Sequence, residues 1–151
     1  RSRKALLDMR APVVNGRRAF LRGDRYLDIP PESLRDLPLM VQGYRAALGK
    51  RAPAHASSWT LVDVATRVAG TGSLGVERYV VLVRGKGSPD ENHLLDLKIA
   101  APSSLLATLK TVQPRWKTHA ERVAGVQQRM QAVPVAFLEP VRVDGKPFVL
   151  R

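Results

Sequence analysis

The chain has 151 residues, of which 44% are hydrophobic and 25% charged, a globular composition long enough for one domain with a real core. It contains no cysteine, which excludes disulfides and thiolate metal sites, and its three histidines, His55, His93 and His119, are too scattered for a zinc pair. A net charge of +12 permits binding to nucleic acid or anionic lipid, but the basic residues are spread along the chain with few interleaved aromatics, which gives a base-stacking surface little support. There is no apolar run of membrane-spanning length and no recognisable signal peptide.

In chain order, Ser2 to Met9 predicts a short helix with Leu6 and Met9 on one side. Asn15-Gly16, between Val13-Val14 and Ala19-Phe20-Leu21, predicts a two-residue hairpin turn, since both residues tolerate positive φ. Tyr26 to Ile29 reads as a short strand ended by Pro30-Pro31. From Glu32 to Leu48 the residues Leu34, Leu37, Val41, Tyr44 and Leu48 recur at helical spacing, with Pro38 expected to split the series and Gly49 to stop it. Arg51 to Ser58 is polar and small and reads as a linker. Residues 1–58 are therefore read as an N-terminal appendage and linker, and residues 59–151 as a second unit.

That unit is organised around Leu61 to Ala100, which predicts strand, glycine loop, strand, connector and strand. Before the loop, Val62, Val64 and Val68 share one side of a period-2 pattern. The loop is Gly70-Thr71-Gly72-Ser73-Leu74-Gly75, and Val76 to Val83 after it is β-branched, aromatic and apolar. A dinucleotide-binding loop opens into a helix, whereas this one opens into a strand and reads as a glycine-rich hairpin. Gly85 to Asn92 is an exposed connector. Leu95, Leu97 and Ile99 then alternate onto one face, with Asp96 and Lys98 on the other.

Ser103 to Lys110 predicts a short helix. Thr118 and Glu121 have capping-box spacing for a helix over 119–132, with Ala120, Val123, Gln127 and Met130 along one stripe. Phe137 to Val143 and Pro147 to Leu150 read as strands joined by Asp144-Gly145. The expected fold class is α+β: an antiparallel five-stranded sheet with a packed helix, plus an N-terminal helical and hairpin appendage. The apolar run Phe148-Val149-Leu150 before Arg151 reads as a strand cut at its last residue, so the chain is expected to be a fragment, to contact the remainder of a parent chain through this strand and the helical N-terminal region, and to self-associate when isolated.

Glycines let backbone amides approach phosphate oxygens, and a lysine from a neighbouring strand supplies a cation for them. The alternatives are a tight structural hairpin and an ordinary exposed strand lysine, and both remain open on these residues alone. There is no HRD-like or DFG-like sequence, no paired carboxylates and no GxSxG elbow, so neither phosphoryl transfer nor serine hydrolysis is complete within the chain.

Asp63-Val64-Ala65, Gly70 to Gly75, Tyr79-Val80-Val81-Leu82, Lys98 with Ala100, Arg122-Val123, Gln127, Gln131 and the ending Gly145 to Arg151 together resemble the bacterial family called domain of unknown function number 2252. Members of that family resemble the kinase-like fold of aminoglycoside phosphotransferases and protein kinases, and this chain corresponds mainly to its nucleotide-side lobe, the N-lobe. The resemblance implies an ATP site at Gly70, Gly72, Ser73, Gly75, Lys98 and Gln127, with magnesium, in a parent that is an ATP-dependent phosphotransferase located in the cytoplasm. It also implies that the acidic motifs lie before the matched stretch, leaving no catalytic or metal residue here. Asp96 departs from the pattern, because kinases place a small residue two positions before the lysine; an acid there is expected to pair with Lys98 or repel phosphate. A non-catalytic nucleotide sensor, a structural or protein-interaction domain, and a basic nucleic-acid-binding module stand as the alternatives.

Overall fold

The computed structural model describes residues 2–53, 59–133 and 135–151. Most of the expected linker, residues 54–58, lies outside the described residues. Helix α1 spans Arg3–Arg10, and its N-cap Ser2 accepts a hydrogen bond from the Ala5 N–H at 3.2 Å. Strands β1 (Val13–Val14) and β2 (Arg17–Arg18) form the expected hairpin, with Asn15 and Gly16 at φ 50° and 75°. Strand β3 is Tyr26–Leu27, shorter than the expected run to Ile29.

Helix α2 spans Leu37–Leu48, so the residues before Leu37 do not join it. Pro38 begins this helix rather than splitting it. In the first turn its missing N–H has no intrahelical partner to lose, and its fixed φ suits helix entry. The remaining strands are β4 (Leu61–Arg67), β5 (Arg78–Val83), β6 (His93–Ile99), β7 (Glu139–Val143) and β8 (Lys146–Leu150), with α3 (His119–Met130) between β6 and β7.

The main sheet has six strands in the order β3-β4-β5-β6-β8-β7, antiparallel throughout. Five come from the stretch expected to form the sheet. The sixth is β3, which pairs Tyr26 with Arg67 and so adds the N-terminal residues to the same sheet. The β7–β8 turn has Asp144 and Gly145 at φ 48° and 75°. The Asp144 carboxylate also accepts from the Arg35 and Asp36 N–H groups, tying this turn to the entry of α2.

Both faces of the sheet are covered. On one, Leu37, Val41, Tyr44 and Leu48 of α2 pack against Tyr79, Val81, Leu95, Leu97, Phe148 and Leu150. On the other, Leu7, Phe20 and Tyr26 pack against Ala65, Val80 and Leu82. At the far end of that second face, Ala120 and Ala124 of α3 meet Ala100, Leu138 and Val149. Two-sided burial explains why β5 is continuously apolar instead of alternating.

The buried Arg18 guanidinium holds the N-terminal residues to the β5–β6 connector. It donates to the Ala11 and Pro89 carbonyls and to the Asp8 and Asp90 carboxylates, at 2.6 to 2.8 Å.

Two local expectations fail for identifiable reasons. Val62, Val64 and Val68 do not share a face. The register shifts between Leu61 and Asp63, which sends Val62 to the α1 side and Val64 to the α2 side, and Val68 lies beyond the strand, exposed. Ser103 to Lys110 forms only a single tight turn over Ser104–Ala107, with Leu105, Leu106 and Leu109 exposed. A short segment without a buried face lacks the packing that stabilises most protein helices. Leu106 and Leu109, with Trp116 and Val126, line an open groove of about 690 Å3 beside α3. Among the described residues no helix is long and apolar enough to cross a membrane.

The core account predicts unequal responses to truncation. Leu97→Ala removes a fully buried side chain facing α2 and is expected to cost about 3 kcal/mol in urea unfolding. Leu105→Ala, at 61% exposure, is expected to stay within about 0.5 kcal/mol of the unsubstituted protein.

Candidate functional site

The face covered by α1 at one end and α3 at the other leaves the β5–β6 region between them. Strand register places Arg78 opposite Lys98, Val80 opposite Asp96, and Lys98 opposite Val149. Arg78, Asp96 and Lys98 therefore project on the α1/α3 side, while Leu95 and Leu97 project toward α2. The Lys98 side chain enters a cavity of about 290 Å3 also lined by Val76, Ala100, Val123, Gln127 and Arg151.

Two features of this cavity bear on ligands. Among the described residues the Lys98 ammonium makes no hydrogen bond or ion pair. Gln127 Oε1 is buried and accepts no hydrogen bond. The two side chains line one cavity, and no direct hydrogen bond joins Lys98 to Gln127 Oε1. An unmatched buried acceptor is costly and commonly marks a place for water or ligand.

Asp96 does not pair with Lys98. Arg78 grips it bidentately, Nε to Oδ1 at 2.9 Å and Nη2 to Oδ2 at 2.7 Å, and Arg67 Nη1 adds a bond to Oδ1 at 2.9 Å. Arg151 Nε lies 3.4 Å from Oδ2, and its backbone exchanges two hydrogen bonds with that of Asp96. Burial opposes ionisation of this carboxyl, but the Arg78 hydrogen bond and the charges of Arg78, Arg67 and Arg151 outweigh it and hold the carboxyl below the usual aspartate range. Three guanidiniums neutralise the acid and leave Lys98 free, so Asp96 is not a net source of repulsion toward an anion.

The glycine loop joins β4 to β5 through a tight turn over Thr71–Ser73. Gly75 sits at φ 72°, a conformation that a side chain would strain. Ser73 Oγ accepts from Arg78 Nη1 at 3.1 Å, which connects the loop to the Asp96 cluster. Among the described residues, Gly70, Ser73 and Gly75 do not line the Lys98 cavity, whereas Val76 does. Gly70 lines a different cavity, with Arg10, Arg25 and Arg67.

Helix α3 positions Gln127. Its N-cap Thr118 Oγ1 accepts from the Glu121 N–H at 3.1 Å, as the capping-box spacing predicts. Glu121 Oε2 accepts from the Lys117 N–H, one residue earlier than the box requires, and stays in the first turn away from Lys98. Gly125 allows the Trp116 ring to lie against the helix: a Cβ there would come within 2.9 Å of the indole. The expected stripe is also displaced, since Ala120 and Ala124 are buried whereas Met130 is exposed.

Sequence reading missed the arginines. Arg67 and Arg78 flank the glycine loop and are distant from Asp96 in sequence, so only strand pairing brings them to it. Among the described residues, no group of three or more His, Cys, Asp or Glu side chains stands together to hold a metal ion.

The Asp96 cluster predicts an acid-side stability change. With its folded-state pKa lowered, its contribution is fully present above the ordinary value of 3.8 and is lost as pH falls through the lowered one. Asp96→Asn is expected to cost about 2–4 kcal/mol at pH 7, because three guanidiniums lose their counter-charge. In urea titrations between pH 7 and pH 2, the gap between the two proteins is expected to narrow on the acid side; a constant gap would refute the ionic account.

Comparison with curated proteins and with solved structures finds no match for the chain. A family profile, described as an uncharacterized protein conserved in bacteria (DUF2252), matches residues 1–151, the full length of the sequence, and the chain belongs to that family.

Proposed function

We propose that the chain is the nucleotide-side lobe of a kinase-like phosphotransferase and binds the phosphates of a purine nucleoside triphosphate through Lys98. The observation that carries this reading is the pairing, in one cavity, of a lysine without a partner and a buried carboxamide oxygen without a donor. The order of the parts supports it. A glycine loop joins β4 and β5, the lysine stands on the next strand β6, and a helix follows before the last two strands. Protein kinases use the same succession of loop, strand lysine and helix, with a helix glutamate as the lysine's partner. Here the mid-helix residue in the lysine's cavity is Gln127, a neutral amide that adds no negative charge and leaves the ammonium unpaired.

The cavity, at about 290 Å3, is at the lower end for a small-molecule pocket and holds part of a nucleotide. Lys98 contributes a point charge to a phosphate group, and the glycine loop, tethered through Ser73 and Arg78, reaches the cavity wall through Val76. ATP supplies the transferable phosphoryl group. The described residues do not fit magnesium, since they bring no ligand set together. This reading therefore assigns the metal ligands and the hydroxyl-positioning base to other sequence of a two-lobed protein, of which the chain is a fragment. The same geometry serves a nucleotide sensor that binds without transfer.

Calorimetric titration of the full-length protein with ATP tests the assignment. Lys98→Met is expected to weaken ATP binding about tenfold or more while leaving the circular dichroism spectrum and Tm close to those of the unsubstituted protein. Equal affinity in the two proteins would remove Lys98 from the site. Absence of ATP binding by a folded protein would leave a structural role for the lobe.

A further inference from the structure

A second cavity, of about 500 Å3, sharing no lining residue with the Lys98 cavity, is lined by Arg10, Arg25, Arg67 and Gly70 together with Tyr26 and apolar atoms. Among the described residues, no acidic side chain lines it. Its three arginines come from separate parts of the chain: the last residue of α1, the turn before β3 and the end of β4. Backbone hydrogen bonds hold each one in place. The Arg10 carbonyl accepts from the Leu21 N–H at 3.1 Å and the Arg25 carbonyl from the Val68 N–H at 3.0 Å, while Arg67 pairs with Tyr26 across the sheet.

The guanidiniums of Arg10 and Arg25 make no hydrogen bond or ion pair among the described residues. That distinguishes them from Arg18, Arg22, Arg67 and Arg78, each of which has a carboxylate partner. Asp96, on the same face, is already engaged by Arg67, Arg78 and Arg151. Arg67 shares its carboxylate with two other arginines, so Arg10 and Arg25 bring two cations to one concave site without a counter-charge of their own, which is unfavourable unless an anion joins them. Arginine forks match the oxygens of a phosphate group, with two parallel N–H donors per guanidinium.

We propose that this cavity binds the phosphate group of a small phosphorylated molecule, and that this site is distinct from the nucleotide site at Lys98. Arg10 and Arg25 bind the phosphate oxygens. Arg67 shares its charge between the ligand and Asp96, and Gly70 keeps the wall of the cavity free of a side chain.

Pyrophosphate at constant ionic strength is the probe, titrated calorimetrically into the unsubstituted protein and into Arg10→Gln, Arg25→Gln, Arg25→Lys and Lys98→Met. Arg25 is exposed, so its substitutions are expected to leave the fold intact, and circular dichroism checks this for each protein. The expected result is saturable binding that weakens about tenfold in Arg10→Gln and in Arg25→Gln, and less in Arg25→Lys, which retains charge without the fork. Lys98→Met is expected to keep the binding event that Arg10→Gln and Arg25→Gln weaken, and to lose only any second event at the nucleotide cavity. No binding by the unsubstituted protein would overturn the proposal, as would unchanged affinity in Arg10→Gln and Arg25→Gln. Loss confined to Lys98→Met would also overturn it and would place the anion in the nucleotide cavity instead. Because the probe contains no nucleoside, failure of ATP to bind at Lys98 leaves this result separately readable.

Discussion

Asp96 places a negative charge on a central strand of a sheet that is covered on both faces, and the arrangement around the glycine loop follows from neutralising it. Its three arginines arrive from the end of β4, the start of β5 and the residue after β8. Each bond therefore also fixes the relative position of two chain segments. Arg78 extends the constraint to Ser73 and so to the loop. A half-buried carboxylate alone would be costly, but a carboxylate gripped bidentately and bridged by two further cations fixes which strands meet and in which register.

That neutralisation leaves Lys98 free. Asp96 and Lys98 are on the same face of β6 two residues apart, and a simple ion pair between them would have quenched the lysine. With the acid engaged elsewhere, four cations face one carboxylate in this region, and the surplus positive charge belongs to Lys98 in its cavity. Arg18 performs a comparable structural role on the N-terminal side, where its buried guanidinium joins α1, β2 and the β5–β6 connector. The two networks differ in outcome: Arg18 is fully matched by carbonyls and carboxylates, whereas the surface near Gly70 retains unmatched guanidiniums.

The first residues are built into the same cores as the later ones. Tyr26 extends the sheet by pairing with Arg67, α2 covers one face, and α1 covers part of the other. The Tyr44 hydroxyl donates to the Phe137 carbonyl and so joins α2 to the segment leading into β7. The walls of the basic cavity accordingly come from residues far apart in the chain.

What the amino-acid sequence determined alone was chemistry confined to a few adjacent residues. Asn15-Gly16 and Asp144-Gly145 specify their turns because those residues accept positive φ, and Thr118 specifies the start of α3 because its hydroxyl reaches the N–H three residues on. The placement of Lys98 opposite Leu97 and of α3 after β6 follows from period and order. Tertiary structure decided what depends on partners. A register shift beside Asp63 sent Val62 and Val64 to opposite faces, and Ser103 to Lys110 found no surface on which to form a helix. Pairing across β4, β5, β6 and β8 brought Arg67, Arg78 and Arg151 to Asp96, and the docking of α1 brought Arg10 beside Gly70. Charges scattered in sequence become a site only when strand register sets the distances between them, and Coulomb interactions at these ranges depend on separation and burial, neither of which a linear sequence contains.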